Sequence, residues 1–149
     1  MSTQPLWTSN AMASAMQAQT AGTMPAAIHG LSIDSRTIAP GDAYFAIKGD
    51  VHDGHAFVEA ALKAGAALAV VSRDKRDQFA ADAPLLIVDD VLQGLVDLAK
   101  ASRARLGAKV IAVTGSVGKT STKEMLRQVL EKQGKTHAPV ASFNNRWGV

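Results

Sequence analysis

A short loop in the carboxyl-terminal third of the chain combines glycines, a lysine and hydroxyl side chains in the manner of a phosphate-binding site. Glycines allow a tight turn that brings backbone N–H groups close to phosphate oxygens. A lysine placed after them can reach the β- and γ-phosphates of a nucleotide, and a threonine hydroxyl can ligate Mg²⁺. We therefore expect an ATP or GTP site with magnesium, in which Lys119 is the catalytic cation and Thr120 the metal ligand. The residues of this phosphate loop are Gly115, Ser116, Val117, Gly118, Lys119, Thr120 and Ser121.

The sequence on either side of the phosphate loop predicts the elements that such a site requires. Residues 109–113 are apolar and β-branched, which is typical of a central strand in a parallel sheet. Residues 122–133 repeat apolar side chains with helical spacing, and Gly134 follows them. A helix that begins at the loop adds about half a positive charge near the phosphates.

The phosphate loop departs from the strict pattern G-x-x-x-x-G-K-[ST], because the first glycine of that pattern would fall on Val113. It is a shortened variant, T-G-S-x-G-K-T. The structural alternative is an ordinary glycine-containing turn between a strand and a helix, with a solvated lysine. A dinucleotide site of the GxGxxG type is not supported, since Gly115 and Gly118 lack the preceding glycine of that pattern.

No acidic residue after the phosphate loop is placed to hold the metal from a neighbouring strand. Glu124 and Glu131 lie on the predicted helix, where Arg127 is spaced to pair with both. We therefore expect the metal carboxylate beyond Val149. A parallel sheet of two strands cannot be covered on both faces, so we also expect this chain to be the front part of a longer protein.

Short apolar strands alternate with amphipathic helices along the chain, which indicates an α/β fold. We divide it into a small α/β domain, residues 1–88, and the opening of a parallel-sheet domain, residues 89–149. Asp90 and Gln93 are spaced as in a capping box at the start of a helix. The other elements predicted for the first 106 residues are a helix within 6–16, strands at 28–33 and 43–47, a helix at 55–64, strands at 67–71 and 85–88, and a helix from 90 to 106.

The composition excludes several classes of protein. With 149 residues, 47% hydrophobic and 19% charged, the chain is neither collagen-like nor fully disordered. It has no cysteine, so disulfides and thiolate chemistry are excluded. No apolar run is long enough to span a membrane, and the uncharged first 33 residues lack the basic start of a secretory signal. We expect a cytoplasmic protein without membrane insertion.

The charge of the chain is unevenly distributed. Residues 1–99 hold 6 basic and 11 acidic side chains, whereas residues 100–149 hold 10 basic and 2 acidic. Chance together with two solvated helices is one explanation, and a half that handles phosphate is the functional one. A nucleic-acid surface ranks third, because the basic half lacks clustered aromatic residues.

The phosphate loop and several other segments resemble the Mur ligase family, in the branch that adds D-alanyl-D-alanine to UDP-N-acetylmuramoyl-tripeptide. The resemblance extends from about Leu6 to Val149, almost the whole chain. The segments that carry it, besides the loop, are Asp34-Ser35-Arg36, Pro40-Gly41-Asp42, Tyr44-Phe45-Ala46, Gly49-Asp50, Asp53-Gly54-His55, Lys123-Glu124-Met125, Ser142-Phe143-Asn144-Asn145 and Gly148-Val149.

The resemblance implies an ATP-dependent amide ligase of peptidoglycan precursor synthesis. ATP phosphorylates the terminal carboxylate of UDP-N-acetylmuramoyl-tripeptide, the amine of D-alanyl-D-alanine attacks the acyl phosphate, and ADP and phosphate are released. Residues 1–88 would then bind the UDP-linked substrate, and residues 89–149 would begin the central ATP-binding domain. The implied parent is a cytoplasmic monomer, and this chain alone is expected to be inactive.

The resemblance also implies substrate-binding residues, each with a structural alternative. Arg36 could hold a diphosphate bidentately, or could pair with Asp34 in a surface turn. Lys48 could contact the diphosphate, or be a solvated lysine at a turn. His55 could stack on the nucleotide or bond to it, or simply begin a helix. Ser35 could donate to a phosphate or uracil oxygen, and the two asparagines could be ordinary turn residues. The full set is Ser35, Arg36, Lys48, Gly49, His55, Asn144 and Asn145.

Two rival functions remain open at this point. Another Mur-type ligase, such as the tripeptide-forming enzyme or a folylpolyglutamate synthase, shares the phosphate loop. The runs Thr122-Lys123-Glu124-Met125 and Phe143-Asn144-Asn145 favour the D-alanyl-D-alanine branch. The rival from another class is a non-catalytic module that binds a UDP-linked ligand, and the length of the parent protein discriminates between the two classes.

Overall fold

The computed structural model describes residues 4–139, which fall into two units that divide after Arg105. The first unit contains all the strands among the described residues, and the second contains one helix. The strands are β1 (Trp7–Thr8), β2 (Gln19–Ala21), β3 (Ala27–Ile28), β4 (Gly30–Ser32), β5 (Asp42–Phe45), β6 (Leu68–Ser72) and β7 (Leu85–Val88). The helices are α1 (Ser9–Met16), α2 (Val58–Lys63), α3 (Val91–Arg105) and α4 (Lys119–Glu131), with 3₁₀ turns at Ser35–Thr37, Gly54–Phe57 and Arg73–Gln78.

A five-stranded sheet of order β2-β7-β6-β5-β4 organises the first unit. The strands β4 to β7 are parallel and adjacent in chain order, and β2 closes one edge antiparallel to β7. β1 and β3 form a separate antiparallel pair. Because β4 to β7 run in the same direction, the loops after their carboxyl ends meet at one edge of the sheet, where ligands bind in open α/β folds. The expected α/β class with a parallel sheet is confirmed.

The core of the first unit has two clusters, one for each face of the sheet. Side chains alternate along a strand, so the neighbours Tyr44 and Phe45 of β5 belong to different clusters. Phe45 packs with residues of α1 and α3, whereas Tyr44 packs with residues of α2. The residues of β6 and β7 are nearly all buried, as expected for parallel strands covered on both faces.

Two helices of the first unit are capped by the side chain of the residue just before the helix. The Thr8 hydroxyl accepts a hydrogen bond from the Ala11 N–H at 3.2 Å and begins α1. The Asp90 carboxylate accepts from the Gln93 N–H at 2.7 Å and precedes α3, which confirms the predicted start of that helix. The helix predicted for 55–64 is shorter than expected, because its first residues form a 3₁₀ turn before α2.

The helix α3 belongs to the first unit, whereas the sequence placed the domain boundary after Val88. Val91 and Leu98 of α3 are buried in the same cluster as residues of α1. The Arg105 guanidinium lies 3.5 Å from the centre of the Trp7 ring and donates to the Leu6 carbonyl at 2.8 Å. These contacts extend the first unit to the end of α3.

The second unit differs from the prediction around the phosphate loop. Residues 109–113 form no strand, and Val110 and Ile111 are 64% and 57% exposed. The physical reason is that no neighbouring strand of this unit lies within the described residues, so the apolar run has no partner for its backbone. The predicted helix is confirmed as α4, which begins at Lys119 rather than Thr122. No strand is present at 136–139, and the rest of the segment expected at 136–141 lies outside the described residues.

Candidate functional site

The phosphate loop leads directly into α4, and glycines hold its shape. Gly118 is the N-cap of α4 with a φ of 77°, and Gly115 has a φ of 150°. Residues that carry a Cβ rarely adopt such positive φ angles, so both positions require glycine. Apart from its chain neighbours and the backbone of α4, no residue among 4–139 places an atom within 4 Å of the position that a Cβ of Gly118 would occupy. The backbone at the helix start is therefore open to a ligand.

Lys119 is folded back over the loop that precedes it. Its Nζ donates to the Gly115 carbonyl at 2.5 Å, so the ammonium lies above the turn rather than away from it. The first helical hydrogen bond of α4 is donated by the Thr122 N–H to the Gly118 carbonyl at 2.9 Å. The N–H groups in the first turn of a helix have no acceptor within that helix, and anion sites at helix starts use this property.

The donors at this site fit the phosphates of a nucleotide. Backbone N–H groups, one ammonium and the hydroxyls of Ser116, Thr120 and Ser121 supply the hydrogen-bond donors that phosphate oxygens accept. The described residues supply fewer ligands for the expected Mg²⁺ than for the phosphates. Thr120 offers one oxygen, and among residues 4–139 no group of three acidic or histidine side chains could hold an ion.

The carboxylates of α4 are held by basic neighbours, as the sequence predicts. Glu124 contacts Lys123 at 2.9 Å and Arg127 at 2.8 Å, and Arg127 also contacts Glu131 at 2.8 Å. Hydrogen bonds from Lys123 and then Arg127 hold the pKa of Glu124 below its ordinary value. This network of ion pairs lies along α4 and engages both of its carboxylates, Glu124 and Glu131.

A second candidate site lies in the first unit, at the carboxyl ends of β4 and β5. Ser35 and Arg36 lie three and four residues after the end of β4, and Lys48 and Gly49 lie three and four residues after the end of β5. Since these two strands are adjacent and parallel, the two segments meet at the same edge of the sheet. We call this group the substrate edge. The substrate edge contains four of the substrate-binding residues predicted from the sequence.

Arg36 is paired with Asp34 in a turn, which is the structural alternative considered for it. Its Nε and Nη2 donate to the Asp34 carboxylate at 2.9 and 2.6 Å, and its backbone N–H donates to Asp34 Oδ1 at 3.0 Å. The hydrogen bonds from the Arg36 side chain and backbone lower the pKa of Asp34 to about 2. The Arg36 side chain is nevertheless 86% exposed, so its remaining N–H groups can reach a ligand.

Lys48 lies at the base of a tight turn. Its backbone pairs with Asp53 in an isolated antiparallel bridge, and the Gly49 N–H donates to the His52 carbonyl at 2.9 Å. The Lys48 side chain is exposed. These backbone contacts of the turn therefore fix the position from which the Lys48 side chain extends.

His55 is buried and cannot stack on a nucleotide with its ring as placed here. Only 6% of the residue is exposed. Its Nδ1 lies 2.6 Å from Asp53 Oδ1, and its Nε2 accepts from the Ser72 N–H at 3.0 Å. Both ring nitrogens of His55 have partners within the first unit. This position therefore fits the alternative that His55 begins a helix better than a contact between His55 and a nucleotide.

Sequence reasoning missed the partners of His55. Asp53 could have been found, because an aspartate just before such a turn caps it locally, and its carboxylate accepts from the His55 N–H at 3.0 Å. Ser72 gave no local signal, since it lies 17 residues further along the chain. The Tyr44 hydroxyl donates to the Gly54 carbonyl at 2.9 Å, a contact that was likewise not predicted. Burial, then the charges of Asp34 and Asp53, raises the pKa of Tyr44 to about 12.

Asn144 and Asn145 lie outside the described residues, so their predicted role stays a prediction. Among residues 4–139, no helix is long and apolar enough to cross a membrane.

The comparisons with known proteins agree with the resemblance found in the sequence. Residues 27–103 match the family described as "Mur ligase family, catalytic domain", and residues 113–149 match "Mur ligase middle domain". The UDP-N-acetylmuramoyl-tripeptide–D-alanyl-D-alanine ligase of Bacillus subtilis is 41% identical over 122 residues, covering 82% of this chain and 26% of that protein. The Escherichia coli protein of the same name is 38% identical over 119 residues, covering 80% and 25%.

Solved structures of the same ligase are also similar to this chain. A crystal structure of MurF from Acinetobacter baumannii superposes with a TM-score of 0.82 at 33% identity, covering 95% of this chain and 31% of that one. MurF from Thermotoga maritima in complex with ADP superposes with a TM-score of 0.68 at 30% identity, covering 79% and 27%. The chain spans about a quarter of the length of the curated relatives that it matches. Because the first family match alone covers just over half of its residues, the chain belongs to the Mur ligase family.

Proposed function

We propose that this chain is part of an ATP-dependent ligase that joins D-alanyl-D-alanine to UDP-N-acetylmuramoyl-tripeptide. The observation that carries the proposal is the phosphate loop at the start of α4, with Gly118 as its cap and Lys119 folded over it. It lies in the range that matches the middle domain of the family. Relatives at 38–41% identity bear the name of this ligase.

The second unit supplies the contacts to ATP. The backbone N–H groups of Ser116, Val117 and the first turn of α4 bind phosphate oxygens, and Gly115 and Gly118 allow the backbone to approach them. Lys119 moves from the Gly115 carbonyl to the γ-phosphate and stabilises the negative charge that develops during transfer. Magnesium, when bound through Thr120 and a carboxylate from elsewhere, would neutralise further phosphate charge.

The first unit supplies the contacts to the UDP-linked substrate. Arg36 and Lys48 lie at the substrate edge as exposed cations, and a diphosphate carries the complementary charge. Ser35 and Gly49 lie beside them and offer a hydroxyl and a backbone N–H. Asp34 holds the Arg36 guanidinium in one orientation, so less conformational entropy is lost when the diphosphate binds. Asn144 and Asn145 complete the proposed set.

The proposed reaction needs both ATP and the UDP-linked substrate. The terminal carboxylate of the tripeptide attacks the γ-phosphorus of ATP, ADP leaves, and an acyl phosphate forms. The amine of D-alanyl-D-alanine then attacks the acyl carbon, phosphate leaves, and an amide bond results. We also propose that the parent protein is a cytoplasmic monomer that uses no nucleic acid.

Calorimetric titration of UDP-N-acetylmuramoyl-tripeptide tests the role of the substrate edge. We expect Arg36→Ala to weaken this binding by roughly 10- to 150-fold, the range for a charge-assisted contact, and to leave ATP binding unchanged. Arg127→Ala is the matched control, because it removes a paired arginine from the second unit. Equal affinity of Arg36→Ala and wild type for the UDP-linked substrate would leave Arg36 with a structural role in its turn only.

A panel of acceptors distinguishes the rival ligases. We expect turnover with UDP-N-acetylmuramoyl-tripeptide and D-alanyl-D-alanine. We expect none with UDP-N-acetylmuramoyl-dipeptide and an amino acid, or with a folate and glutamate. Turnover with either of these other substrate pairs would assign the protein to another branch of the family.

A further inference from the structure

We propose that His55 is a positioning residue that fastens the turn carrying Lys48 to the end of β6. The contact joins Asp53, His55 and Ser72, and we call these three residues the latch. The inference rests on the proposed function, because its purpose is to hold Lys48 at the substrate edge for the UDP-linked substrate. It assigns His55 a role that acts through the turn, without contact to the ligand.

The latch joins two segments that are distant in the sequence. His55 Nδ1 contacts Asp53 Oδ1 at 2.6 Å within the turn, and the opposite nitrogen, Nε2, accepts from the Ser72 N–H at 3.0 Å. The Ser72 hydroxyl lies 3.1 Å from the same nitrogen. One buried ring therefore connects the turn after β5 to the last residue of β6.

Other hydrogen bonds attach the turn to β5 and to the residues just after it. The Gly54 N–H donates to the Ile47 carbonyl at 2.9 Å, and the Tyr44 hydroxyl donates to the Gly54 carbonyl at 2.9 Å. A Cβ on Gly54 would lie 2.7 Å from the Ile47 oxygen, so the turn sits tightly on the strand that precedes it. The latch adds the second point of attachment, and two points are needed to fix the orientation of the turn.

The hydrogen bonds require a neutral imidazole. The Ser72 N–H points at Nε2, so that nitrogen must be unprotonated and the ring proton must lie on Nδ1, where it is donated to Asp53. A proton on Nε2 would place two donors against each other. The latch therefore depends on an acceptor at the position of Nε2, which a ring that only fills space would not supply.

Several charged and titratable groups surround the ring. Asp53 lies in the turn itself, and Lys75 Nζ is 3.9 Å from Asp53 Oδ2. Partial burial works to raise the pKa of Asp53, but the hydrogen bonds from the backbone and ring of His55, with nearby positive charge, outweigh it and leave that pKa below its ordinary value. Asp74 lies near Ser72, whose hydrogen bond lowers the pKa of Asp74. Tyr44 stays neutral throughout the acid range.

Two substitutions of His55 separate the latch from simple packing. His55→Asn places an amide near the position of Nδ1 and loses the acceptor for the Ser72 N–H. His55→Gln reaches the position of Nε2 and keeps an acceptor there that does not titrate. Ser72→Ala is the matched control, because it removes the hydroxyl and keeps the backbone N–H that the latch uses.

The experiment combines calorimetric titration of UDP-N-acetylmuramoyl-tripeptide with hydrogen exchange of the Ser72 amide, both at one fixed pH. We expect wild type and Ser72→Ala to bind the substrate alike, with the Ser72 amide protected. We expect His55→Asn to bind about tenfold more weakly with the Ser72 amide unprotected, and His55→Gln to restore both the affinity and the protection. The tenfold change corresponds to the loss of one hydrogen bond.

Two results would remove the positioning role and leave the proposed function intact. The first is normal binding by His55→Asn when its Ser72 amide is unprotected. The second is weak binding by a folded His55→Gln whose Ser72 amide is protected, and this result decides the matter if His55→Asn fails to fold. Absence of substrate binding by wild type would instead overturn the proposed function, and the role of the latch with it.

Discussion

Replacement of Leu98 by alanine is expected to destabilise the first unit by about 3 kcal/mol. Leu98 lies in the middle of α3, is 1% exposed, and belongs to the core cluster that includes Met12 and Leu86. The change removes three carbon groups, which are worth about 2.4 kcal/mol at about 0.8 kcal/mol each. The cavity left in a packed core raises the loss to about 3 kcal/mol. For a unit of roughly 100 residues, this lowers Tm by about 12 to 24 °C.

Tryptophan fluorescence reports the unfolding of the first unit. The chain has two tryptophans, so Trp147→Phe leaves the buried Trp7 as the single reporter. Leu106→Ala is the matched control: it removes the same side chain from a position that is 55% exposed just after α3, and its Tm is expected to change little. A Tm of Leu98→Ala equal to that of Leu106→Ala would show that α3 is independent of the first unit, and the boundary would return to Val88.

Two further predictions concern pH and local stability. Because burial raises the pKa of Tyr44 from 10.0 to about 12, the unfolded state ionises first, and the Tm of the first unit is expected to fall as pH rises from about 10 to about 12. Tyr44→Phe is expected to lack this decrease, and an identical pH profile in the variant would refute the cause. The amides of residues 109–113 are expected to exchange with solvent faster than those of β6, because they form no strand in the described structure. Hydrogen exchange read by mass spectrometry measures this, and equal protection would contradict the described structure of the second unit.

Local patterns predicted most elements of the first unit. Thr8 and Asp90 carry capping side chains immediately before their helices, and this information lies within three residues. β1 and β2 were missed because each has two or three residues and their pairing partners are distant: Gln19 of β2 pairs with Ile87 of β7. Such strands are defined by their partners more than by their own side chains.

The boundary between the units illustrates the same limit. The sequence of α3 shows an amphipathic helix, but its apolar stripe does not say which neighbour covers it. In the structure, α1 and the sheet cover Val91 and Leu98. The segment 109–113 is the reverse case, since its composition is that of a buried strand but the described residues provide no strand beside it.

The two candidate sites differed in how far the sequence predicted them. The phosphate loop was predicted from the sequence because its residues are contiguous, and in the structure Gly115 and Gly118 have positive φ values. The residues of the substrate edge were predicted through resemblance, and their common location depends on the pairing of β4 with β5. The latch was not found, because the contact between His55 and Ser72 depends on the packing of two strands.

Phosphate release from ATP tests the central claim most directly, in a protein that carries this chain together with the further domains of its longer relatives. We expect release that requires both UDP-N-acetylmuramoyl-tripeptide and D-alanyl-D-alanine, with one phosphate for each amide bond formed. Lys119→Ala is expected to lower this rate by orders of magnitude with Tm unchanged, while Lys109→Ala, a lysine outside the phosphate loop, retains it. Phosphate release that continues without D-alanyl-D-alanine, or that survives the loss of Lys119, would contradict the account.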